Sequence, residues 1–384
     1  MKPVEYYKGR EQTYLKHSFL ERYLETVAYH IGYSHQKFWY VDCFSGPWRA
    51  EDEELGDTSI RIALDRLNSV RKGLAQNQRY PAIGAIFVEK SPAAFTKLQQ
   101  VLQEHSGEIR TTALPGTFER NIGPIIDLIG STFAFFFVDP TGWTGFAMDS
   151  LRPILQRDEG EVMINFMYDP INRFLSFMSP SNEKSLDRFF GTPRWRPIRD
   201  APDRESALVN LYVDQVRTTG GFRYATFTRV LKPLQDRAYF YLVYATRNPK
   251  GIEEFRKVEK KVVMEQESVR KKAQREYREE KSYQFELGFE SNGPSRGLQN
   301  EREQQLQKGD AKVMALLEEG PIRYEQLRPL VLELFLVWES DLKEILLRGQ
   351  RSGRFLIQGL GPRERTPKPG CTVRLNAGET RVAE

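Results

Sequence analysis

Three acidic residues directly follow apolar segments in the first part of the chain. Asp42 ends KFWYVD, Glu89 ends IGAIFVE and Asp139 follows FFFV. In open parallel sheets, ligands bind beside the carboxyl ends of the strands, where the strand order reverses. The three positions therefore predict a group of carboxylates at one edge of a sheet, placed to accept hydrogen bonds from a bound small molecule.

The turn after the first apolar segment combines an acid with small residues. It reads DCFSG, and we expect Asp42, Phe44, Ser45 and Gly46 to follow the contour of a cofactor. Gly46 lets the backbone approach a ligand that a Cβ atom would block. A single glycine is a weaker signal than a complete GxGxxG fingerprint, so an ordinary strand-to-loop turn remains an alternative.

Four further positions fit a nucleoside-like cofactor. Glu89 can accept hydrogen bonds from both hydroxyls of a ribose, or it could be a surface residue ahead of the helix that begins at SPAAF. Thr117 and Phe118 follow the third apolar segment, where an adenine would lie. Lys16 precedes the first predicted helix and could meet a carboxylate of the cofactor, or lie at a solvated helix N-terminus.

The segment FFFVDPTGW carries the most informative motif. Enzymes that methylate an exocyclic amine of a base have Asp or Asn, two prolines and an aromatic residue here, and the ring stacks on an unpaired or flipped base. Asp139, Pro140 and Trp143 are the corresponding residues, although the second proline is missing and Trp143 is one position late. DPTG could also be a plain turn. Asn165 and Arg173, further on, could face the same cleft or be satisfied structural groups.

Strands and helices alternate through the first two-thirds of the chain. Strands are predicted at residues 37–46, 83–89, 108–114, 133–138 and 161–167, and helices at 17–31, 58–70, 91–105, 117–129, 147–155 and 201–216. Such alternation predicts a parallel sheet covered on both faces. Two more strands, 222–231 and 238–246, follow with no helix between them. We therefore predict an α/β, doubly wound Rossmann-type methyltransferase fold of seven strands with a terminal β-hairpin.

Composition changes after this region. Residues 1–248 are predicted to form the methyltransferase-like domain, which would bind S-adenosylmethionine. Residues 249–308 are rich in Glu, Lys and Arg and predict a charged, solvated helical linker. Residues 309–384 show three helical patterns followed by two short strands, the order of a C-terminal winged-helix-like domain.

The charge balance favours an anionic partner. The 384 residues carry a net charge of +5, with an isoelectric point near 9.0, and basic residues outnumber acidic ones in residues 188–247 and 348–381. Arginines beside aromatic residues suit phosphate contacts combined with base stacking, and basic residues in a winged helix would touch a duplex. A slightly basic solvated surface is the alternative. The arginines predicted to bind nucleic acid are Arg194, Arg196, Arg348, Arg351 and Arg354.

Several classes of site find no support in the sequence. Cys43 and Cys371 are far apart, and the chain has four histidines, so neither a disulfide framework nor a metal site is expected. The polar N-terminus has no apolar signal region. No apolar stretch approaches the roughly 20 residues that span a bilayer. We therefore expect a cytoplasmic protein without a membrane partner.

Five segments in order resemble the three-Cys-motif partner (TcmP) proteins, a methyltransferase-like family. They are KHSFLERYL, YVDCFSGPW, FVEKSP, FFFVDPTGW and VMINFMYDPINRF, and the resemblance covers roughly residues 15–255. It implies a methyltransferase-like fold and a protein partner, a three-Cys-motif radical-SAM-like protein.

Two motifs depart from that family's patterns, which read Asp-x-Phe-Ala-Gly-x-Gly and Asp-Pro-Phe-Gly. The first motif has Ser45 for the alanine and Trp48 for the second glycine, and the second has Thr141 for the aromatic residue. Trp48 would place an indole near the methionine end of the cofactor. Without an aromatic residue at 141, base stacking would depend on Trp143.

Two hypotheses of different classes follow. In the first, the chain transfers a methyl group from S-adenosylmethionine to an amine of a nucleic-acid base, because the carboxylates at 42, 89 and 139 are retained. In the second, a catalytically degenerate methyltransferase-like scaffold acts as the nucleic-acid-binding subunit of a larger complex, because both turns are altered. A nuclease finds little support, since no nuclease-like cluster of acidic residues is present.

Overall fold

A computed structural model describes residues 2–46, 58–140, 142, 145–175, 180–282, 294–361 and 364–376 of the chain. The chain divides into two compact units. Met1–Arg247 and Ser268–Glu286 form the first, and Asn248–Glu267 and Leu287–Glu384 form the second. The segment that the sequence predicts as a linker, residues 249–308, thus has residues in both units.

The first unit consists of alternating helices and strands. Its helices are α1 (Glu11–Ser34), α2 (Ser59–Gln76), α3 (Pro92–His105), α4 (Phe118–Ile129), α5 (Met148–Leu155), α6 (Tyr168–Leu175), α7 (Pro180–Phe190), α8 (Trp195–Ile198) and α9 (Arg204–Gly220). Its strands are β1 (Lys37–Asp42), β2 (Ala82–Glu89), β3 (Arg110–Pro115), β4 (Phe133–Val138), β5 (Gly160–Phe166), β6 (Tyr224–Leu231) and β7 (Ala238–Thr246). The second part of α10 (Pro249–Ser282) also belongs to this unit.

The strands of the first unit form one sheet in the order β3-β2-β1-β4-β5-β7-β6. β1 pairs in parallel with β2 and β4, whereas β7 is antiparallel to both β5 and β6. This is the doubly wound Rossmann-type arrangement with a terminal hairpin, so the predicted seven-stranded sheet is confirmed. The strand order reverses between β1 and β4, which is where such folds bind ligands.

Helices cover both faces of this sheet. Apolar residues of β1, β2, β4 and β5 pack on one face against a layer that includes α4, α5 and α9. On the other face, the Tyr23 ring of α1 lies 5.4 Å from that of Phe135 and 5.2 Å from that of Tyr244. The central strands are buried on both sides, which explains why FAFFFV and EVMINF are nearly continuous apolar runs.

The sequence-based prediction was wrong about two helical regions of this unit. The first helix was predicted over residues 17–31 with Lys16 ahead of it, but α1 begins at Glu11 and contains Lys16. Burial and the nearby charge of Lys16 lower the pKa of His17 to about 3. It also missed α6, α7 and α8 between β5 and α9. Pro170 and Pro180 in the first turns of α6 and α7 were the available signals of helix starts.

The second unit contains the first part of α10, three further helices and a small sheet. The helices are α11 (Arg296–Glu318), α12 (Tyr324–Val331) and α13 (Glu339–Arg351), and the strands are β8 (Ile322–Arg323), β9 (Phe355–Gln358) and β10 (Thr372–Leu375). The strands are antiparallel in the order β8-β10-β9. Strand β8 was not predicted from the sequence, and the winged-helix assignment stays a prediction.

The expectation that the charged helix would be solvated is wrong. In α10, the residues Ile252, Phe255 and Val258 are buried, and so are the charged residues Arg256 and Glu259 between and beside them. Apolar residues recur every three or four positions and form one helix face. The high density of charge concealed this face in the sequence. The described residues include no helix that is long and apolar enough to cross a membrane.

Candidate active site

Two carboxylates flank the point at which the strand order reverses. Asp42 is the last residue of β1, and Asp139 directly follows β4, the strand beside it. The register pairs Asp42 with Phe137, two residues before Asp139. Local sequence fixes both positions, because each acid ends an apolar run that must lie in the sheet. The sequence therefore predicted correctly that these acids lie close together at the carboxyl edge.

Asp42 is completely buried. Its Oδ1 accepts a hydrogen bond from the Phe44 backbone N–H (3.2 Å), and its Oδ2 accepts one from the Ser59 hydroxyl (2.9 Å). Burial raises the pKa of Asp42 to about 6; the charge of Asp139 also raises it, and the two hydrogen bonds oppose the shift. A carboxyl group with a raised pKa in a ligand-binding position is characteristic of functional sites.

Asp139 is held by two side chains from distant parts of the sequence. Its Oδ2 lies 2.5 Å from Lys16 Nζ, and its Oδ1 accepts a hydrogen bond from Asn165 Nδ2 at 2.7 Å. Asn165 lies on β5, and its own Oδ1 is buried without a hydrogen-bond partner among the described residues. Lys16 was expected to meet a carboxylate of the cofactor. It contacts Asp139 instead, which was expected to orient the substrate.

Glu89 ends β2 and is buried. Its Oε1 accepts a hydrogen bond from the Ser91 backbone N–H at 2.5 Å, which fixes the carboxylate beside the N-terminus of α3. The described residues donate no hydrogen bond to its Oε2. A carboxylate oxygen without a donor at this position could accept a hydrogen bond from a ribose hydroxyl.

The remaining predicted cofactor residues lie around the ends of β1 and β3. The ring of Phe44 lies 5.5 Å from that of Phe118, which is buried at the start of α4. Thr117 is the N-cap of α4, but its side chain makes no capping hydrogen bond. The Ser45 hydroxyl donates to the Asp42 carbonyl at 3.2 Å. Gly46 follows this turn as the last residue described before position 58.

Part of the predicted methyl-acceptor motif lies outside the described residues. Pro140 is buried directly after Asp139. Trp143, Thr141 and Trp48 are not among the described residues, so their predicted roles stay predictions. No cluster of three His, Cys, Asp or Glu side chains suited to a metal ion is found in the described part of the chain.

Every arginine predicted to bind nucleic acid lies beside a carboxylate. Arg194 pairs with Asp214 and Arg196 with Asp187, at 3.4 and 2.7 Å. Arg348, Arg351 and Arg354 lie 3.9, 2.8 and 2.9 Å from oxygens of Asp310, Glu344 and Asp310, respectively. These pairs reduce the local positive charge, and the nucleic-acid interface stays a prediction.

The aromatic residues beside the arginines of residues 188–247 do not present stacking surfaces. The interpretation that these rings stack on bases was therefore wrong. Trp195 is 1% exposed, and its Nε1 donates to Asp187 at 2.9 Å; Tyr224 is 2% exposed. Both rings are buried in the protein interior, so neither can stack on a base.

Comparisons with known proteins give similarity only among solved structures. No protein-family model matches the chain, and no curated protein matches it. The cofactor-bound Rv0187 protein from MTB aligns with 59% of this chain and 79% of its own, at 10% identity and a TM-score of 0.33. A loganic acid methyltransferase with SAH aligns with 68% of this chain and 88% of its own, at 10% identity and a TM-score of 0.28. A Bordetella parapertussis protein described as a possible exported protein aligns with 58% of this chain and 67% of its own, at 9% identity and a TM-score of 0.25. We base the fold class on the strand order of the chain itself, which is that of a doubly wound α/β protein with a terminal hairpin.

Proposed function

We propose that the first unit binds S-adenosylmethionine and transfers its methyl group to an amine of a nucleic-acid base. The observation that carries the proposal is the position of Asp42, Glu89 and Asp139 at the carboxyl ends of β1, β2 and β4, on both sides of the strand-order reversal. The terminal hairpin, typical of methyltransferase folds, supports the same class.

The described residues fit this cofactor. Glu89 is buried and has a carboxylate oxygen that lacks a donor among the described residues, which suits a ribose hydroxyl. The turn formed by Asp42, Phe44, Ser45 and Gly46 would lie along the sugar and methionine parts of the cofactor. Thr117 and Phe118 would border its adenine. When bound, the cofactor would supply an electrophilic methyl group.

Asp139 would accept a hydrogen bond from the amine that receives the methyl group. Lys16 and Asn165 orient its carboxylate, and the ammonium of Lys16 balances its charge. Each carboxylate oxygen has a second lone pair, so Asp139 can accept a hydrogen bond from an amine while Lys16 and Asn165 stay in contact with it. Pro140 would restrict the turn that follows, and Trp143 would provide the stacking ring.

The partners and location follow from the sequence. We propose that the winged-helix-like second unit contacts nucleic acid, that a three-Cys-motif protein is the protein partner of this TcmP-like chain, and that the protein is cytoplasmic. The net positive charge supports an anionic partner.

Calorimetric titration of the full chain with S-adenosylmethionine tests the cofactor site. We expect saturable binding by the wild type and a loss of at least tenfold in affinity for Glu89→Ala, since a charged hydrogen bond to a ribose hydroxyl would be removed. Glu104→Ala is the matched control, because Glu104 is an exposed carboxylate on α3, which follows Glu89. Absence of binding by folded wild type would reject the proposal.

One observation favours the alternative of a degenerate scaffold. Lys16 and Asn165 occupy both oxygens of Asp139, which leaves the carboxylate engaged in contacts within the protein. A transfer assay with radiolabelled cofactor and single-stranded oligonucleotides separates the two functions. Methyl incorporation that is abolished in Asp139→Ala supports the enzyme, whereas cofactor binding without incorporation on DNA or RNA supports the scaffold.

A further inference from the structure

Asp169, at the start of α6, is a buried carboxylate surrounded by cations. Its Oδ1 lies 3.0 Å from both Lys232 Nζ and Arg237 Nη2, and its Oδ2 lies 3.6 Å from Arg173 Nε. Neither contact to Oδ1 has hydrogen-bond geometry. A guanidinium has five N–H donors and an ammonium has three. One carboxylate therefore holds the three cations close together, and N–H donors of these cations remain for further hydrogen bonds. We call Asp169, Arg173, Lys232 and Arg237 the Asp169 patch.

The two cations from the β6–β7 hairpin are fixed in place by its turn. The Lys232 backbone N–H donates to the Arg237 carbonyl at 2.9 Å, so the two residues lie opposite each other. Opposed residues of an antiparallel pair project their side chains to the same face. Arg270 braces the turn by donating to the carbonyls of Lys232 (3.0 Å) and Gln235 (3.1 Å). These contacts hold the backbone of Lys232 and Arg237 in place within the protein itself.

The surroundings of the patch are also net positive. Arg204 donates to Asn172 Oδ1 at 2.6 Å, and the charges of Arg204, Arg237 and Glu205 all act on Tyr168. Glu205 in turn accepts a hydrogen bond from Tyr241 at 2.6 Å. Among the described residues, the cations of Arg173, Arg204, Lys232, Arg237 and Arg270 thus outnumber the carboxylates of Asp169, Glu205 and Asp236. The outermost cations are accessible, because the side chains of Arg173 and Arg237 are 70% and 40% exposed.

The patch lies on the same edge of the sheet as the candidate active site. α6 follows the carboxyl end of β5, just as Asp139 follows the carboxyl end of β4. β7 is antiparallel to β5, so the hairpin turn that precedes it also lies at this edge. The end of β4 at Val138 is level with Val243 of β7, because both pair with Ile164 of β5. The start of β7 at Ala238 therefore lies two strand spacings of roughly 4.8 Å to the side and five residues further along the strand direction, about 19 Å from the end of β4.

We infer that the Asp169 patch binds a backbone phosphate of the nucleic-acid strand whose base is the methyl acceptor. This inference rests on the proposed function and assigns the anchoring of the substrate to residues other than the five arginines that the sequence predicts to bind nucleic acid. Two guanidinium groups and an ammonium match the oxygens of a phosphodiester. Asp169 holds the cations together and limits the loss of side-chain entropy on binding.

The experiment measures binding of a fluorescein-labelled single-stranded oligonucleotide to the full chain by anisotropy, at increasing NaCl concentration. The variants are Arg173→Gln, which changes a mostly exposed side chain, and the double variant Arg173→Gln/Arg237→Gln. Arg152→Gln is the matched control, since Arg152 is an exposed arginine of the last turn of α5 and pairs with Asp149 at 3.0 Å. A methylphosphonate version of the oligonucleotide tests whether the phosphate charge is recognised.

We expect about tenfold weaker binding for the double variant, with Arg152→Gln unchanged. The slope of log affinity against log salt should fall by about 0.7 for each phosphate that the variant no longer neutralises. The methylphosphonate strand should bind the wild type and the double variant equally. Equal affinity of wild type and double variant for the native strand would overturn the inference, as would undiminished wild-type binding of the methylphosphonate strand.

Calorimetry with S-adenosylmethionine on the same samples separates this inference from the proposed function. If the wild type binds the cofactor but the arginine variants bind the oligonucleotide normally, only the phosphate site fails. If the wild type does not bind the cofactor but the variants still bind the oligonucleotide more weakly, the proposed function fails and the phosphate site stands.

Discussion

Two buried charged sites, one in each unit, have opposite surroundings. In the second unit, Arg256 and Glu259 are almost fully buried and form an ion pair at 2.6 Å. Arg256 also donates to the Leu332 and Glu333 carbonyls, and Glu259 accepts a hydrogen bond from Trp338 Nε1 at 3.1 Å. In the first unit, the buried Asp42 has hydroxyl and amide donors, but no described residue forms an ion pair with it.

This difference distinguishes a charge pair that supports the packing of helices from a carboxylate that we propose to be functional. A buried ion pair whose remaining donors and acceptors are satisfied fixes how elements pack. A buried carboxylate beside a second carboxylate lowers the stability of the fold, and such local costs are found where a ligand must bind. Three predictions test the contrast, beginning with the largest expected effect.

Arg256→Met should destabilise the second unit by about 4 kcal/mol, because it leaves Glu259 buried without a cation. Hydrogen exchange of α13 peptides in the full chain, followed by mass spectrometry, measures the destabilisation. The double variant Arg256→Met/Glu259→Met should be less destabilised than the single one, since no unpaired charge remains. Equal destabilisation of both variants would show that the pair is not the source of the effect.

The pH dependence of stability should reveal Asp42. Its pKa is raised from 3.8 to about 6 in the folded state, so the folded protein retains the proton to higher pH than the unfolded chain. The contribution of Asp42 to stability is therefore most favourable below about pH 4 and falls as the pH rises from about 4 to above 6, by about 3 kcal/mol at 1.36 kcal/mol per pKa unit. Asp42→Asn removes this titration.

Urea denaturation of both proteins between pH 4 and pH 7 provides the measurement. The wild type should lose about 3 kcal/mol relative to Asp42→Asn over this range. Asp65→Asn, at an exposed carboxylate of α2 that pairs with Arg61, should stay within about 0.5 kcal/mol of the wild-type curve. Parallel curves for wild type and Asp42→Asn would contradict the raised pKa.

Lys16→Met should have the smallest of the three effects, about 2 kcal/mol at neutral pH, because it removes one charged hydrogen bond to a partly exposed carboxylate. Lys97→Met, at an exposed position of α3, is the control and should be close to neutral. Urea denaturation midpoints compare the two. Similar midpoints would mean that the ion pair between Lys16 and Asp139 contributes nothing to stability.

Sequence patterns predicted the strands of the first unit better than they predicted its side-chain contacts. KFWYVD and FAFFFV could be assigned to strands because burial on both faces of a parallel sheet requires continuous apolar runs. The same rule located Asp42, Glu89 and Asp139. The helices α6 to α8 were missed, because short helices after β5 have little periodicity of their own. In α10, the charges of Arg256 and Glu259 suggested solvent-exposed side chains, although both side chains are buried.

The sequence by itself determined the alternation of strands and helices, the terminal hairpin and the acids at the strand ends. These features depend on local apolar runs and on the rule that parallel strands end at one edge. Only the tertiary structure decided that Lys16 and Asn165 hold Asp139, that three cations surround Asp169, and that the predicted nucleic-acid arginines lie beside carboxylates. Most of these contacts join residues far apart in the chain, so the spacing of residue types along the sequence does not encode them.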